Sequence, residues 1–453
     1  MKAEEQRATS TATQASGPTE WPIVPFEQVA TPQSDRGKRI KQRDYLPEGR
    51  IPVIDQGQTL IGGYTNDEDF AFLGDLPVVL FGDHTRAVKL VDHRFAVGAD
   101  GIKIFRPAEG VRPKYLYYWM KSARIPDRGY GRHYQYLRQL SVPLPPPNKQ
   151  DEIVAEIEKQ FSRLDEALAN LKRVKANLKR YKAAVLKAAV EGRLVETEVE
   201  RARRDGHSFL TGQDLLSQLI KERADAWEGR GAYKQPPLPR VGLEETVPGG
   251  WGWASLEQLT PPHRPCAYGV LQPGDDVDTG VPFVRVGDID DGRVSQGALK
   301  RISPSIAAEY PRTQLEGGEV LITLVGAIGR TAVVPLGLKG ANVARAVAVV
   351  PVMPGVDPRW LEIWLRNPKK VAEMNRSAHE VARKTLNLED VRRITVAVPP
   401  IPEQLRIIEV VERAQSVAAT QELAVERAMQ RVERLRTAVL ASAFGHRNQG
   451  SNN

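Results

Sequence analysis

Two long amphipathic segments dominate the pattern of apolar and polar positions in this chain. In the first, which starts near Asn148, apolar residues recur every three or four positions over about 40 residues, with Lys and Arg between them. These apolar residues are Ile153, Ile157, Phe161, Leu164, Leu168, Leu171, Val174, Leu178, Tyr181 and Val185. The stripe predicts a coiled-coil helix ~60 Å long, because an α-helix rises 1.5 Å per residue.

A second segment of the same length carries a weaker stripe near the end of the chain. Its apolar residues are Leu405, Ile408, Val411, Ala414, Ala418, Val425, Ala428, Val432, Leu435 and Val439. An amphipathic helix needs a partner to cover its apolar stripe, so the two predicted helices should pack together. We expect an antiparallel pair with a globular domain at each end. A parallel pair, with both domains at one end, is the alternative.

The two helices belong to an internal duplication. Residues 142–154 (VPLPPPNKQDEIV) match residues 396–408 (VAVPPIPEQLRII) at an offset of 254 positions. The offset holds to the end of the helices, where AAVLKAAVEGR at 183–193 lies over TAVLASAFGHR at 437–447. A block without insertions over this length indicates that the length of the helix is constrained.

The duplication continues upstream at smaller offsets. Residues 111–122 match residues 356–367 at an offset of 245, and residues 21–30 match residues 251–260 at an offset of 230. Insertions and deletions therefore fall inside the globular part. Copies of about 200 residues exceed the repeat length of solenoid proteins, so the sequence predicts a duplicated domain with a pseudo-two-fold relation between its copies.

Each copy is predicted to hold a globular domain of the α/β or α+β class. Short β-like runs such as IPVI (51–54) alternate with Gly, Pro and Asp turns, and in the first copy PKYLYYWMKS (113–122) is the one clear helix. Between the copies, Thr211 and Asp214 predict the capping box of a short helix, followed by an extended linker. The predicted segments are a disordered tail 1–19, a first domain 20–147, a first long helix 148–193, a connector 194–250, a second domain 251–401, a second long helix 402–445 and a tail 446–453.

The amino-acid composition indicates what kind of partner the protein binds and in which cellular compartment it works. The 453-residue chain is 41% hydrophobic, which suits two ordinary cores, and its net charge of +8 indicates a polyanionic partner. The polar N-terminal stretch lacks a targeting signal and the longest apolar runs are too short to span a bilayer, so we expect a cytoplasmic protein. A single cysteine, Cys266, excludes an internal disulfide and a cysteine-based zinc cluster.

Known catalytic motifs are missing from the sequence. It contains no GxxxxGK[ST] phosphate loop, HExxH, GxSxG or GxGxxG after a strand, and no Asn/Asp-Pro-Pro-aromatic tetrapeptide of the amino-methyltransferases. The seven histidines are scattered. We therefore expect a binding protein without a catalytic or metal site of its own.

The first candidate binding residues lie in matched loops of the two copies. FGDHTRAVKLVD (81–92) and LVGAIGRTAVVP (324–335) each carry a glycine turn, an arginine and a strand, so Arg86 and Arg330 take corresponding places. Arginine at a turn can reach a phosphate or a base edge of DNA, although a solvated turn arginine is the alternative. Further candidates on the neighbouring strands are Lys89, Asn342 and Arg345.

A second pair of candidate segments precedes the last strand of each copy. GYGRHYQYLRQL (129–140) mixes base-capable donors with aromatic residues, and HEVARKTLNLEDV (379–391) is its counterpart. The predicted DNA-binding residues here are Arg132, His133, Tyr134, Gln135, Arg383, Lys384 and Thr385. A purely structural turn-and-helix role is the alternative for both segments.

These motifs together resemble the specificity subunits of Type I restriction-modification enzymes. The resemblance is carried by PLPP…NKQ and VPPIPEQ before long helices, by the helix ends VLKAAVEGRL and VLASAFGHR, and by VPGGWGWASLEQL at the start of the second copy. It covers nearly the whole chain from about residue 20. Departures from the family pattern are Lys149 in place of a glutamate before Gln150, and Val190-Glu191-Gly192 in place of an aromatic-Gly pair such as Phe444-Gly445.

The resemblance implies two target-recognition domains that each read half of a bipartite DNA site, with the two helices fixing the unread spacer. It also implies two methyltransferase subunits, which would bring S-adenosylmethionine and methylate adenine N6, and two restriction subunits that use ATP and Mg²⁺. No cofactor is expected on this chain. The alternatives from other classes are a cryptic nuclease or methyltransferase and a coiled-coil adaptor that does not bind DNA.

Overall fold

The computed structural model describes residues 21–445, except 99–100, 128, 130, 243–244, 291, 298 and 381–383. The predicted tails 1–19 and 446–453 lie outside the described residues. The chain divides into two compact units. The first unit combines Met1–Lys172 with Glu426–Asn453, and the second unit is Arg173–Val425.

Short strands and helices alternate in the first unit. Its strands are β1 (Ile23–Pro25), β2 (Ala30–Gln33), β3 (Ile51–Ile54), β4 (Gly63–Thr65), β5 (Val78–Gly82), β6 (Val88–Val91), β7 (Ala96–Val97), β8 (Ile102–Pro107) and β9 (Ser141–Pro143). Its helices are α1 (Phe26–Val29), α2 (Pro113–Ser122), α3 (Tyr134–Leu137) and the first part of the long helix α4 (Pro147–Val190). The strands form the pair β1-β9, the antiparallel sheet β2-β8-β5-β6 and the mixed sheet β4-β3-β7.

Helix α2 packs on β5 and β6 and anchors the core of the first unit. Pro113 lies in its first turn, where the missing N–H of proline costs no hydrogen bond. The helix buries Tyr115, Leu116 and Trp119, and the Trp119 ring stacks on Phe26 with the ring centroids 5.7 Å apart. The predicted common face of Leu116 and Trp119 is confirmed, since both side chains are buried.

The second unit starts with the end of α4 and closes with most of the last helix. Its shorter helices are α5 (Glu198–Asp205), α6 (Gly212–Asp225), α7 (Pro304–Ala308), α8 (Pro358–Arg366), α9 (Pro368–Ser377) and α10 (Leu388–Arg392), and the last helix is α11 (Ile401–Ala443). Its strands are β10 (Gly252–Ser255), β11 (Ala267–Tyr268), β12 (Val281–Val284), β13 (Ile289–Asp290), β14 (Arg293–Val294), β15 (Lys300–Ile302), β16 (Val320–Thr323), β17 (Thr331–Val333), β18 (Asn342–Val343), β19 (Val347–Val350), β20 (His379–Glu380), β21 (Lys384–Thr385) and β22 (Thr395–Val398).

The sheets of the two units correspond. The pair β10-β22, the four-stranded sheet β11-β19-β16-β17 and the three-stranded sheet β15-β12-β18 repeat the arrangement of the first unit. In both three-stranded sheets the central strand pairs with one neighbour antiparallel and with the other parallel. Trp364, the counterpart of Trp119, is likewise buried in the helix that follows these strands. The duplication seen in the sequence is therefore a duplication of the fold.

The long helices α4 and α11 run antiparallel within each unit. In the first unit Asp165 of α4 forms an ion pair with Arg436 of α11. Ile157, which comes earlier in α4, lies in one apolar cluster with Leu440, which comes later in α11. In the second unit Lys182 Nζ lies 3.2 Å from Glu422, while Ala189 clusters with Ile407, earlier along α11. As the residue number increases along α4, the number of the contacting residue in α11 decreases. This confirms the predicted antiparallel pair.

The predicted apolar stripes are only partly covered. Val174 and Tyr181 of α4 are 42% and 48% exposed, and Leu405 and Leu435 of α11 are 49% and 42% exposed. All four belong to the stripes read from the sequence. Large apolar side chains at these helical positions are exposed in the isolated chain, so the helix pair offers apolar surface to a partner.

The connector (194–250) belongs to the second unit and packs against its domain, so it is not an extended linker between domains. The capping box predicted at Thr211 and Asp214 is present, and a second capping box at Thr197 starts α5, which the sequence did not predict. A Cβ at Gly212 would lie 2.0 Å from the Val398 carbonyl oxygen, so only glycine allows this close approach. Farther on, the N–H of Arg240 donates to the Thr395 hydroxyl at 3.0 Å.

Membrane and metal sites are not found in the described part of the chain. None of the helices in this part combines the length and apolar character that a membrane span requires. The same residues hold no group of three or more His, Cys, Asp or Glu side chains suited to a metal ion. Cys266 is buried, and burial raises the pKa of its thiol to about 12.

Candidate nucleic-acid interface

Four segments of the first unit meet at one end of the sheet β2-β8-β5-β6. The registers pair Gln33 with Ile104 and Gly82 with Ile102, so β2 and β5 end where β8 begins. The segment before β9 packs on the turn after β5, because the His133 N–H donates to the Asp83 carbonyl at 2.9 Å. We call this surface the first edge, which consists of residues 33–37, 83–87, 102–103 and 131–135.

Two arginines of the first edge have a left-handed backbone. The φ angles of Arg36 and Arg86 are 53° and 59°, and no other non-glycine residue in the described part of the chain has a positive φ. This conformation costs a non-glycine residue ~1–3 kcal/mol and is concentrated at binding sites. The strain therefore favours the first edge as a functional surface.

The corresponding end of the second unit has the same construction. The registers pair Tyr268 with Ala348 and Thr323 with Val347, so β11 and β16 end where β19 begins. We call this surface the second edge, which consists of residues 268–271, 324–330, 344–346 and 384–386. Part of it lines a cavity of about 440 Å³, with Lys384 among its walls.

Both edges join the same two candidate segments of the sequence. In the second unit Thr385 forms an isolated antiparallel bridge with Val325, and the Leu386 N–H donates to the Leu324 carbonyl at 2.9 Å. In the first unit the Tyr134 N–H donates to Asp83 Oδ1 at 2.7 Å. The structure thus brings the glycine turn and the segment before the last strand together in each copy.

Arg86 is partly tied down at the first edge. Its Nη2 donates to Asp127 Oδ2 at 2.7 Å and its Nη1 to the Ile125 carbonyl at 3.3 Å. The Gly129 N–H and then Arg86 lower the pKa of Asp127, so this carboxylate stays charged and competes for the guanidinium. A DNA contact by Arg86 would have to displace or share an exposed ion pair, which is a small cost.

The other predicted residues of the first edge differ in exposure. Arg132 and Gln135 are exposed. Tyr134 is half-buried against Phe105, with their ring centroids 5.6 Å apart, and Lys103 Nζ lies 5.5 Å from the centre of the Tyr134 ring. Burial raises the pKa of the Tyr134 hydroxyl. Arg132 and Gln135 are therefore the more accessible members of this segment.

The predicted basic residues of the second edge are mostly accessible. Arg330, Arg345 and Lys384 are exposed, and Thr385 is half-buried. Arg330 Nη1 lies 3.4 Å from the Ile289 carbonyl oxygen and 4.0 Å from Asp290, so it is less constrained than Arg86. Arg383 lies outside the described residues.

Three predicted contact residues need correction because they are buried and bonded within their own domains. Lys89 Nζ donates to the Asp55 carbonyl at 2.6 Å, and burial lowers the pKa of this lysine while Asp55 opposes the shift. His133 Nδ1 lies 2.9 Å from the Asp83 carbonyl oxygen. Asn342 Oδ1 accepts from the Thr313 hydroxyl at 2.7 Å. These side chains bond segments of their own domains together, and their burial keeps them from the surface.

Sequence reasoning missed the loop after β2. Arg36 and Lys38 are exposed in this loop and lie at or next to the first edge. The run SDRGKR at 34–39 is a glycine turn flanked by basic residues, which is the signal used for the other loops. The pairing of β2 and β5 with β8 places this loop at the same end of the sheet as the turn that carries Arg86.

Comparison with curated proteins identifies the family. The specificity subunit of the Type I restriction enzyme EcoBI from Escherichia coli is 34% identical over 309 residues, which are 68% of this chain and 58% of that relative. The EcoKI specificity subunit from Escherichia coli K12 is 25% identical over 94% of this chain and 89% of its own length. The chain belongs to the Type I specificity subunits. No family model matches it.

The alignments with two of the relatives cover only part of those proteins. The matches with the EcoBI and EcoR124I specificity subunits span 58% and 40% of those relatives, which is less than two thirds of their lengths. A solved chain from a study of complex assembly in a type I restriction-modification system shares the fold, with a TM-score of 0.58 and 17% identity. That match covers 94% of this specificity subunit and 98% of the solved chain.

Proposed function

We propose that this specificity subunit recognises DNA sequence for a Type I restriction-modification enzyme. The observation that supports this proposal is the presence of two equivalent edges, one in each unit, that carry exposed basic residues on turns between strands. Two similar but non-identical surfaces suit a bipartite, asymmetric DNA site, because each surface can read its own half.

We propose a revised set of DNA contacts on these edges. In the first unit the set contains Arg36, Arg86, Arg132, Tyr134 and Gln135. In the second unit it contains Arg330, Arg345, Lys384 and Thr385, and Arg383 remains a prediction from the sequence. Arginine donors at turns suit both phosphate oxygens and the O6 and N7 acceptors of guanine.

The proposed partners follow from the family and from the exposed helix surface. The apolar residues left open on α4 and α11 suit docking of two methyltransferase subunits, which would bind S-adenosylmethionine and methylate adenine N6. Two restriction subunits would add ATP- and Mg²⁺-dependent translocation and cleavage. We assign no catalytic step and no cofactor to this chain, and we propose that the complex works in the cytoplasm.

The test is to express the chain with the methyltransferase subunit of its own system and to map methyladenine in the host genome by long-read sequencing. The expected result is one bipartite motif, methylated once on each strand. Exchanging residues 20–147 for the corresponding domain of a related subunit should change one half of this motif only. Absence of any methylated motif, with both subunits present and folded, would refute the proposed role.

A further inference from the structure

A large cavity lies in the second unit where α4 ends. Its volume is about 880 Å³, which falls in the range of ligand and side-chain pockets. The walls come from the last turns of α4, from residues 245–247 of the connector and from the start of α9. Trp253 and Trp364 form one side of it, with their ring centroids 5.8 Å apart and nearly perpendicular.

The internal repeat places a phenylalanine at the position that corresponds to Val190. Phe444 stands 254 positions after Val190, a residue that lines the cavity. In the first unit Phe444 is buried, and its ring meets the Tyr115 ring edge-on with the centroids 5.3 Å apart. Valine is smaller than phenylalanine and has no ring, so the second unit lacks the aromatic group that closes the end of the helix in the first unit.

The charged residues around the cavity indicate which ligand charge would fit. Four basic residues line it, namely Lys187, Arg193, Lys369 and Lys370, against the two acidic residues Glu191 and Glu245. Lys370 is buried, and its Nζ lies 2.8 Å from Glu373 and 3.3 Å from Glu245. Lys187 and Arg193 share Glu191 as an ion-pair partner and Lys369 Nζ lies 3.7 Å from Glu245, but all three basic side chains stay largely exposed and outnumber these two carboxylates. The rim is therefore basic and accessible.

We infer that this cavity is a docking site for an aromatic side chain flanked by acidic residues on a partner protein. The aromatic group would pack beside Val190 against Trp253 and Trp364, and the acidic residues would pair with Lys187, Arg193 and Lys369. For the identity of the partner the inference rests on the proposed function, and it assigns the segment to a methyltransferase subunit. One such subunit would then be held by a contact specific to the second unit.

The direct test uses the full chain and a fluorescein-labelled peptide with one phenylalanine between four aspartates. Fluorescence anisotropy should show saturable binding to the wild type. Val190→Phe, which introduces the residue that stands at the matching position in the first unit, should weaken binding at least tenfold. Lys369→Glu should do the same and keeps the test valid if Val190→Phe does not fold. Lys339→Glu, a charge reversal of an exposed lysine outside the cavity, should leave binding unchanged.

Two results of the peptide experiment would overturn the docking site. One is absence of saturable binding by the wild type up to about 1 mM peptide. The other is equal binding of a control peptide with alanine in place of phenylalanine, since that would show attraction between charges only.

The partner is tested separately by co-purification. Val190→Phe and Lys369→Glu should retain less methyltransferase subunit than the wild type and Lys339→Glu do. If all four chains retain it equally, the assignment to that subunit is wrong while the proposed function stands. If the wild type itself retains none, the proposed function fails, and the peptide result still decides whether the cavity binds this chemistry.

Discussion

Gln150 and Gln404, which stand 254 positions apart, make the same three hydrogen bonds in the two units. Each side chain is fully buried, accepts one backbone N–H and donates to two backbone carbonyls over distances of 2.7 to 3.3 Å. The partners are Arg112, Gly110 and Pro145 for Gln150, and Asp357, Gly355 and Pro399 for Gln404. The glutamine after the proline block therefore fastens the start of each long helix to its own domain.

Gln404→Ala should lower the free energy of unfolding by ~2–4 kcal/mol, because the buried Pro399 carbonyl and the half-buried Asp357 N–H and Gly355 carbonyl all lose this partner. Urea denaturation followed by tryptophan fluorescence measures this change, since five of the seven tryptophans lie in the second unit. Gln272→Ala, at an exposed glutamine of the same unit, is the control and should change stability by less than about 0.5 kcal/mol. An equal effect of both variants would contradict the fastening role of Gln404.

The connector should behave as part of the second unit. Arg223 on α6 is buried, and its Nε and Nη1 donate to the Thr260 carbonyl at 2.9 Å and to the Tyr233 hydroxyl at 2.5 Å. Arg223→Met keeps most of the volume but removes both donors, so we expect a loss of ~2 kcal/mol. Hydrogen exchange should also quicken in α6, whereas Arg230→Met, at an exposed arginine, should leave it unchanged. Unaltered protection in Arg223→Met would mean that α6 is held by apolar contacts alone.

Glu403 predicts a pH dependence that its counterpart Lys149 cannot share. Burial raises the pKa of Glu403, while N–H donors from Glu198 and Trp251 at 2.9 and 2.8 Å oppose the shift. A carboxyl group with a raised pKa stabilises the folded state in its protonated form. This contribution is fully present below the unfolded-state pKa of about 4.3 and is lost as the pH rises through the folded-state pKa. Glu403→Gln does not titrate.

The free energy of unfolding of the wild type minus that of Glu403→Gln should therefore fall as the pH is raised from about 4 to about 7. Urea denaturation at several pH values measures the difference, and common effects of acid on the rest of the chain cancel in it. A difference that stays constant or grows with pH would show that the hydrogen bonds outweigh burial at Glu403.

Long-range periodicity in the sequence predicted the helices well. The apolar stripe from Ile153 to Val185 repeats over many turns, so its helical period is unambiguous. Helix α4 extends over 44 residues. Helix α5 escaped prediction because EVERARRD has no apolar stripe and is fixed by its capping box and by Glu403, which is distant in sequence. Contacts of that kind cannot be read from periodicity.

The interior position of Lys89 was partly readable from the sequence. Side chains two apart on a strand share a face, and Val91 on β6 is buried, so Lys89 points the same way. The partner that makes this burial tolerable is Asp55, which follows the end of strand β3 and is distant in sequence. His133 and Asn342 likewise find their partners across the fold, which explains why a list of polar residues near loops overestimated the exposed site.

Arg330 and Arg86 differ in how firmly their own domains hold them, and this difference predicts unequal effects on DNA binding. Arg330→Ala should weaken specific binding by ~1–3 kcal/mol and relax only the half-site read by the second domain. Arg86→Ala should cost less, because binding must first loosen the contact of Arg86 with Asp127 at 2.7 Å. Fluorescence anisotropy with oligonucleotides altered in one half-site measures both effects in the assembled methyltransferase, with Lys339→Ala as the control. If Arg330→Ala weakens all sequences equally and lowers the salt slope by about one, Arg330 contacts a phosphate instead of a base.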